Sequence, residues 1–136
     1  MPALFHPPFK PCPCGSGRSF QKCCGPLLSG EARASSAEQL MRSRYTAFVL
    51  KHQMYLLQTW HESTRPATLD LADDTTRWES LTVHHSEAGQ PEDTTGTVEF
   101  TARFRLEGKR HQMRENSTFI RTETGWKYVQ GEQKSP

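Results

Sequence analysis

The stretch TVEFTARFRL, Thr97 to Leu106, alternates without a fault: Val98, Phe100, Ala102, Phe104 and Leu106 fall on one side, and Thr97, Glu99, Thr101, Arg103 and Arg105 on the other. Successive side chains of a strand point to opposite faces, so this segment reads as a strand with one buried and one solvated face. Gly108 marks the turn that follows. A third strand is expected from about Arg110 to Thr122, and a fourth, after Glu123-Thr124-Gly125, from Trp126 to Gln130. Upstream, Leu81 and Val83 alternate with polar neighbours between Arg77 and Glu87, and residues 86–95 are rich in turn formers. The second half of the chain is therefore an antiparallel meander.

Before the strands the period is different. AEQLMRSRYTAFVLKHQMYLLQTW, Ala37 to Trp60, holds no Gly or Pro, and Met41, Tyr45, Phe48 and Val49 share a face at helical spacing, followed by Leu56 and Trp60. Ser35 or Ser36 can cap this helix, with Glu38 or Gln39 completing a capping box. A break near Lys51 to Gln53 divides the segment into two helical pieces. His61 to Pro66 ends it, and a short turn or helical piece is expected around Leu69 to Ala72. Helices followed by a run of strands predict an α+β fold, helices packed on a curved antiparallel sheet.

At 136 residues the chain has room for one core and a small appendage. Mean hydropathy is low at -0.76, but three Trp, seven Phe and three Tyr supply the bulky anchors that a disordered chain lacks. A net charge of +2 is a weak footprint for polyanions. The start MPALFHPPFKPCPCG has no basic segment followed by a long apolar run, and the longest apolar run, Ala47 to Leu50, is far too short for a bilayer. A cytoplasmic, monomeric protein away from membranes is expected.

All four cysteines lie in CPCGSGRSFQKCCG, Cys12 to Gly25. Two pairs, Cys12-x-Cys14 and Cys23-Cys24, separated by a short loop can bring four thiolates together tetrahedrally, the arrangement that zinc requires. Gly15 and Gly17 permit the loop to turn tightly. Lys10, Arg18 and Lys22 stand in or beside it to offset the surplus negative charge. Disulfides are the competing reading; bonds within either pair close strained rings, and a reducing compartment disfavours the crossed pairings. Structural Zn2+ on Cys12, Cys14, Cys23 and Cys24 is the expectation.

These residues carry a resemblance. CPCGSG, Phe20, Lys22 and CCG resemble the SEC-C motif, the zinc-binding tail of the SecA translocase, with Cys24 where that tail usually has histidine. Together with LMRSRYTAF (Leu40 to Phe48), Thr59-Trp60-His61, VEFTARF, ENSTF and Gly125-Trp126-Lys127-Tyr128, the chain resembles the YchJ family. The resemblance implies a SEC-C knuckle at residues 1–30 and a cone-shaped domain, like nuclear transport factor 2 and cystatin-like in fold, at residues 31–136. Leu28 to Arg33 reads as the linker, with Gly30 as hinge. The resemblance carries no activity with it, and a shared knuckle does not transfer a partner.

A cone closed by helices leaves a cavity. The third-strand face that carries Met113 and Phe119 also carries Glu115 and Ser117, so a carboxylate is expected among apolar neighbours, where it needs a partner. Arg42 and Arg44 lie close to the helix's apolar face, and the expected partner is Arg44. Tyr45 can donate a hydrogen bond, and His61 is a further candidate lining residue. The pair is read as a structural latch, with an anion-reading pocket as the alternative. His84 and His85, adjacent on a strand, point apart and cannot share a metal. No catalytic residue is assigned: no G-x-S-x-G, phosphate-cradling Gly loop or second metal cluster is present.

The expected function is a protein-interaction or adaptor module in which the knuckle presents Arg18, Phe20 and Lys22 to a protein partner. A small-molecule-binding or enzymatic cone around Glu115 is the alternative. Nucleic-acid or ribosome binding through the knuckle is a further one, with only three cations to support it.

Overall fold

The structure, a computed structural model, describes residues 3–134. After a cysteine-bearing hairpin and a single 3-10 turn at Phe20–Lys22 come α1 (Gly25–Ser29), α2 (Ala37–Val49) and α3 (Gln53–Gln58). Four strands follow: β1 (Arg77–Ala88), β2 (Thr95–Leu106), β3 (Lys109–Thr122) and β4 (Gly125–Lys134). The sheet order is β1-β2-β3-β4, antiparallel throughout, as the expected meander requires. On β2 the inner face is as expected, with Val98, Phe100 and Ala102 buried, but Thr101 on the other face is buried too, its Oγ1 2.7 Å from His84 Nε2. Opposite them on β3 stand Ser117, Glu115 and Met113 in turn, so the polar residues of β3 do share the inner face.

Ser36 caps α2, its Oγ accepting the Gln39 N–H at 3.1 Å, while the Gln39 side chain accepts from the Ser35 N–H at 2.6 Å. This closes the box that the sequence suggests. The helix stops where Lys51 takes a left-handed φ of 56°, and α3 restarts with His52 Nδ1 accepting the Tyr55 N–H at 3.2 Å. This sharp turn folds α3 back beside α2. Next, Thr59–His61 runs parallel to β4: the Tyr128 N–H donates to Thr59 O at 2.8 Å and the His61 N–H to Tyr128 O at 2.7 Å.

Two local expectations are corrected and a third is resolved. Part of the expected linker is helix α1, started by Pro26 and ended by Gly30 with φ 88°. Its Leu27 and Leu28 are buried in the main core, so Gly30 acts as a cap instead of a hinge. Of the turn or helical piece expected around Leu69 to Ala72 the structure has the turn, with the Asp74 N–H donating to Leu71 O at 3.2 Å; Leu71 is buried there, its N–H held by Gln53 Oε1 at 2.9 Å. Finally, β4 runs on to Lys134, because its far end pairs with residues 114–117 in the middle of β3.

Candidate metal centre and the cone cavity

The cysteine segment folds as a hairpin, with the Cys12 N–H donating to Arg18 O and the Phe20 N–H to Lys10 O, each at 2.9 Å. Its turn uses Gly15 and Gly17 with φ of 79° and 87°, the left-handed region that glycine enters without penalty. This geometry brings the four sulfurs within 4.8 Å of one another. Cys14 and Cys23 are 3.6 Å apart and Cys23 and Cys24 3.9 Å. A tetrahedral zinc holding sulfurs at 2.3 Å spaces them by about 3.8 Å, so the donor set fits a closed four-thiolate site.

The surroundings are built for thiolates. Ser16 Oγ lies 3.1 Å from Cys23 Sγ, and the buried Thr46 Oγ1 lies 3.4 Å from Cys24 Sγ and 3.7 Å from Cys12 Sγ. As free thiols Cys12, Cys14 and Cys24 share protons: hydrogen bonds from Cys12 and Cys24 hold the Cys14 thiol well below its ordinary range, while contacts with Cys12 and Cys14, and then burial, push Cys24 up. Four adjacent sulfurs ionise together only around a cation. The expected flanking cations, Lys10, Arg18 and Lys22, are exposed. The nearer cation is Arg42 of α2, whose Nη1 donates to Cys14 O at 2.9 Å. Burial works against its charge, but Glu38 and the Cys14 thiolate together hold its pKa above the usual arginine value.

The surface expected for a partner is rearranged. Arg18 and Lys22 are exposed, but Phe20 is half-buried against His6, ring centres 5.0 Å apart. Phe20 folds under Gly25, where any Cβ would come within 2.8 Å of its carbonyl oxygen. The solvated rings are Phe5, 83% exposed, and Phe9, 80% exposed. Sequence reading passed over both. The signal was present in FHPPF, whose prolines keep the segment out of a helix and off the core.

Between α2 and the inner face of the sheet lies a cavity of about 290 Å³. Arg44, Tyr45, Glu115 and Ser117 all line it, as the sequence suggests. The expected Glu115–Arg44 ion pair does not form. Arg44 Nη1 instead donates to Leu56 O and Thr59 Oγ1, each at 2.8 Å. Leu56 O is one of the last carbonyls of α3, which has no partner inside its own helix, so the guanidinium caps α3. The same group lies 4.6 Å from the ring centre of Tyr128 and 5.0 Å from that of Trp60. Burial lowers the Arg44 pKa to about 10, which leaves it a cation at neutral pH. Glu115 accepts from Ser117 Oγ at 2.7 Å and lies over Gly131, where a Cβ would overlap its carboxylate.

Tyr45 packs edge-on against Trp78 with ring centres 5.9 Å apart, and burial pushes its phenol up to about 12. His61 is not in the cavity: its backbone is tied to Tyr128 and its Nδ1 lies 2.8 Å from Ser63 Oγ, facing an outer depression. His84 and His85 are both on the surface, because a bulge between Val83 and His85 turns the pair outward. Trp60, Trp78 and Tyr128 are the cavity residues that periodicity alone does not identify as such.

Comparison with known proteins places this geometry. The model of the YchJ middle NTF2-like domain matches residues 36–131, and that of the SEC-C motif matches residues 10–26. A UPF0225 protein of Deinococcus radiodurans is 45% identical over 126 residues, covering 92% of this chain and 91% of that protein. A UPF0225 protein of Streptomyces coelicolor is 49% identical over 125 residues, covering 92% and 97%. The solution structure of a SEC-C motif containing protein from Rhodopseudomonas palustris superposes with a TM-score of 0.81 at 35% identity, over 91% of this chain and 98% of that one. The crystal structure of a SEC-C motif containing protein from Psychrobacter arcticus gives a TM-score of 0.73 at 26% identity, over 92% and 83%. The chain belongs to the YchJ family, an NTF2-like domain with a SEC-C motif at its N-terminal end.

Proposed function

We propose that the protein is a zinc-stabilised interaction module of the cytoplasm, monomeric, whose knuckle engages an acidic protein segment that carries apolar side chains. A Zn2+ ion on Cys12, Cys14, Cys23 and Cys24 would have no open position, so its role is to hold a surface in shape. The observation that carries the reading is the pair Phe5 and Phe9, more than three-quarters exposed, on a segment that also presents Lys10, Arg18 and Lys22. Residues 3–30 contain no Asp or Glu. Solvated aromatic rings flanked by cations suit such a partner. Because Cys14, Cys24 and Leu27 share one core with the cone, whatever binds the knuckle carries the cone rigidly with it.

A photo-crosslinking residue at position 9, compared with one at the exposed Thr82 on β1, tests this in cells. Zinc-dependent crosslinks to protein from position 9, abolished by Phe5→Ala, support it. Crosslinks that disappear on nuclease treatment and weaken steeply with salt would assign the surface to nucleic acid or the ribosome instead. Equal labelling from both positions would overturn the reading.

A further inference from the structure

Arg44 is 5% exposed, yet among the described residues it has no carboxylate within salt-bridge distance. Its Nη1 is spent on Leu56 O and Thr59 Oγ1, and its faces are covered by Tyr128 and Trp60. Nε and Nη2 make no hydrogen bond to a described residue, and neither is sealed from solvent. The cavity is what they can open onto, since Arg44 lines it. A buried cation with unspent donors at one wall calls for an anionic acceptor.

The other walls are aromatic. Trp78 meets Tyr45 and Phe48 with ring centres 5.9 Å away in each case, and Phe100 backs them from the sheet. Rings in tilted and edge-on contact favour a flat apolar guest. A volume of about 290 Å³ is at the small end for ligand sites, room for roughly ten to fourteen non-hydrogen atoms. Glu115 lines the same cavity and acts on Arg44 through space, but it makes no ion pair with it: its carboxylate accepts from Ser117 Oγ and lies, partly exposed, over Gly131.

We infer that this cavity is a receptor site for a small aromatic monocarboxylate, its ring against Trp78 and Phe48 and its carboxylate on the unpartnered edge of Arg44. The site is independent of the knuckle surface and adds a second binding function to the chain.

Amide and indole NMR spectra of the full, metal-loaded protein, titrated with 3-phenylpropanoate, 3-phenylpropan-1-ol and 3-phenylpropan-1-amine, test the inference. The acid is expected to shift the Trp60 and Trp78 indole signals saturably and to bind at least tenfold more tightly than the alcohol or the amine. Arg44→Gln should remove that preference, and Glu115→Gln should leave the acid bound as tightly or more tightly. Equal binding of alcohol and acid, loss of acid binding in Glu115→Gln, or no saturable shift with any of the three would overturn it. Should Arg44→Gln fail to fold, the three-ligand comparison on the native chain and on Glu115→Gln still decides.

Discussion

Thr46 Oγ1 in the middle of α2 lies 3.4 Å from Cys24 Sγ, so a helix of the cone supplies a hydroxyl to the four-cysteine cage. Groups that orient metal ligands contribute to metal affinity without touching the ion. Thr46→Val keeps the shape and deletes the donor. It is expected to lower zinc affinity about 10- to 100-fold and to cost about 1 kcal/mol of stability, whereas Thr46→Ser stays near the native values. Competition against a chromogenic chelator measures the first, and urea unfolding the second. Native affinity in Thr46→Val would show that the contact is incidental.

Metal removal should be felt throughout the molecule. Cys14, Cys24 and Leu27 are buried in the same cluster as Leu40, Leu56 and Phe119. Chelation, or Cys14→Ser, is therefore expected to lower the melting temperature of the whole chain in one calorimetric transition. A knuckle that melts alone while the cone keeps its transition would contradict the shared core.

The tyrosines set an alkaline limit. Burial pushes Tyr45 and Tyr55 up to about 12, and Tyr128 is raised as well, also by burial first. A folded pKa above the unfolded value of 10 means that this contribution is intact below about pH 10 and is lost as pH rises through about 12. Phenolate absorbance at 295 nm should therefore rise together with loss of circular dichroism. Ionisation of all three tyrosines near pH 10 in a chain that stays folded would refute the burial argument.

Two glycines should behave differently when given a side chain. A Cβ on the buried Gly96 would stand 2.7 Å from the Gly89 nitrogen and against its Cα, at the point where the Ala37 N–H donates to Gly89 O at 2.9 Å. Backbone cannot step aside there, and Gly96→Ala is expected to cost about 2–3 kcal/mol in urea unfolding. Gly17 has nothing within 4 Å but holds φ 87°. Gly17→Ala should cost only the left-handed penalty, about 1–2 kcal/mol.

Much of this protein is written locally. The alternation of residues 97–106, the Ser36–Gln39 box, the break after Val49 and the four cysteines within Cys12–Cys24 each depend on neighbours a few positions apart. Sidedness was legible too, since strand period alone puts Glu115 and Ser117 on the face of Met113 and Phe119.

Partnership was not. Arg44 and Glu115 do line one cavity, but the left-handed turn at Lys51 swings α3 back and offers Leu56 O and Thr59 Oγ1 to the guanidinium first. Arg42, two residues earlier, points away to Cys14 and Glu38. Phe20 is drawn under Gly25, leaving Phe5 and Phe9 in solvent. The sequence by itself determined the two longer helical segments, the four strands and the thiolate loop, because those follow from backbone period and local chemistry, but it left the short α1 as linker. Which acceptor meets a buried cation, and which rings remain exposed, only the packing of distant elements decided, since short-range contacts form with whatever that packing brings within about 3 Å.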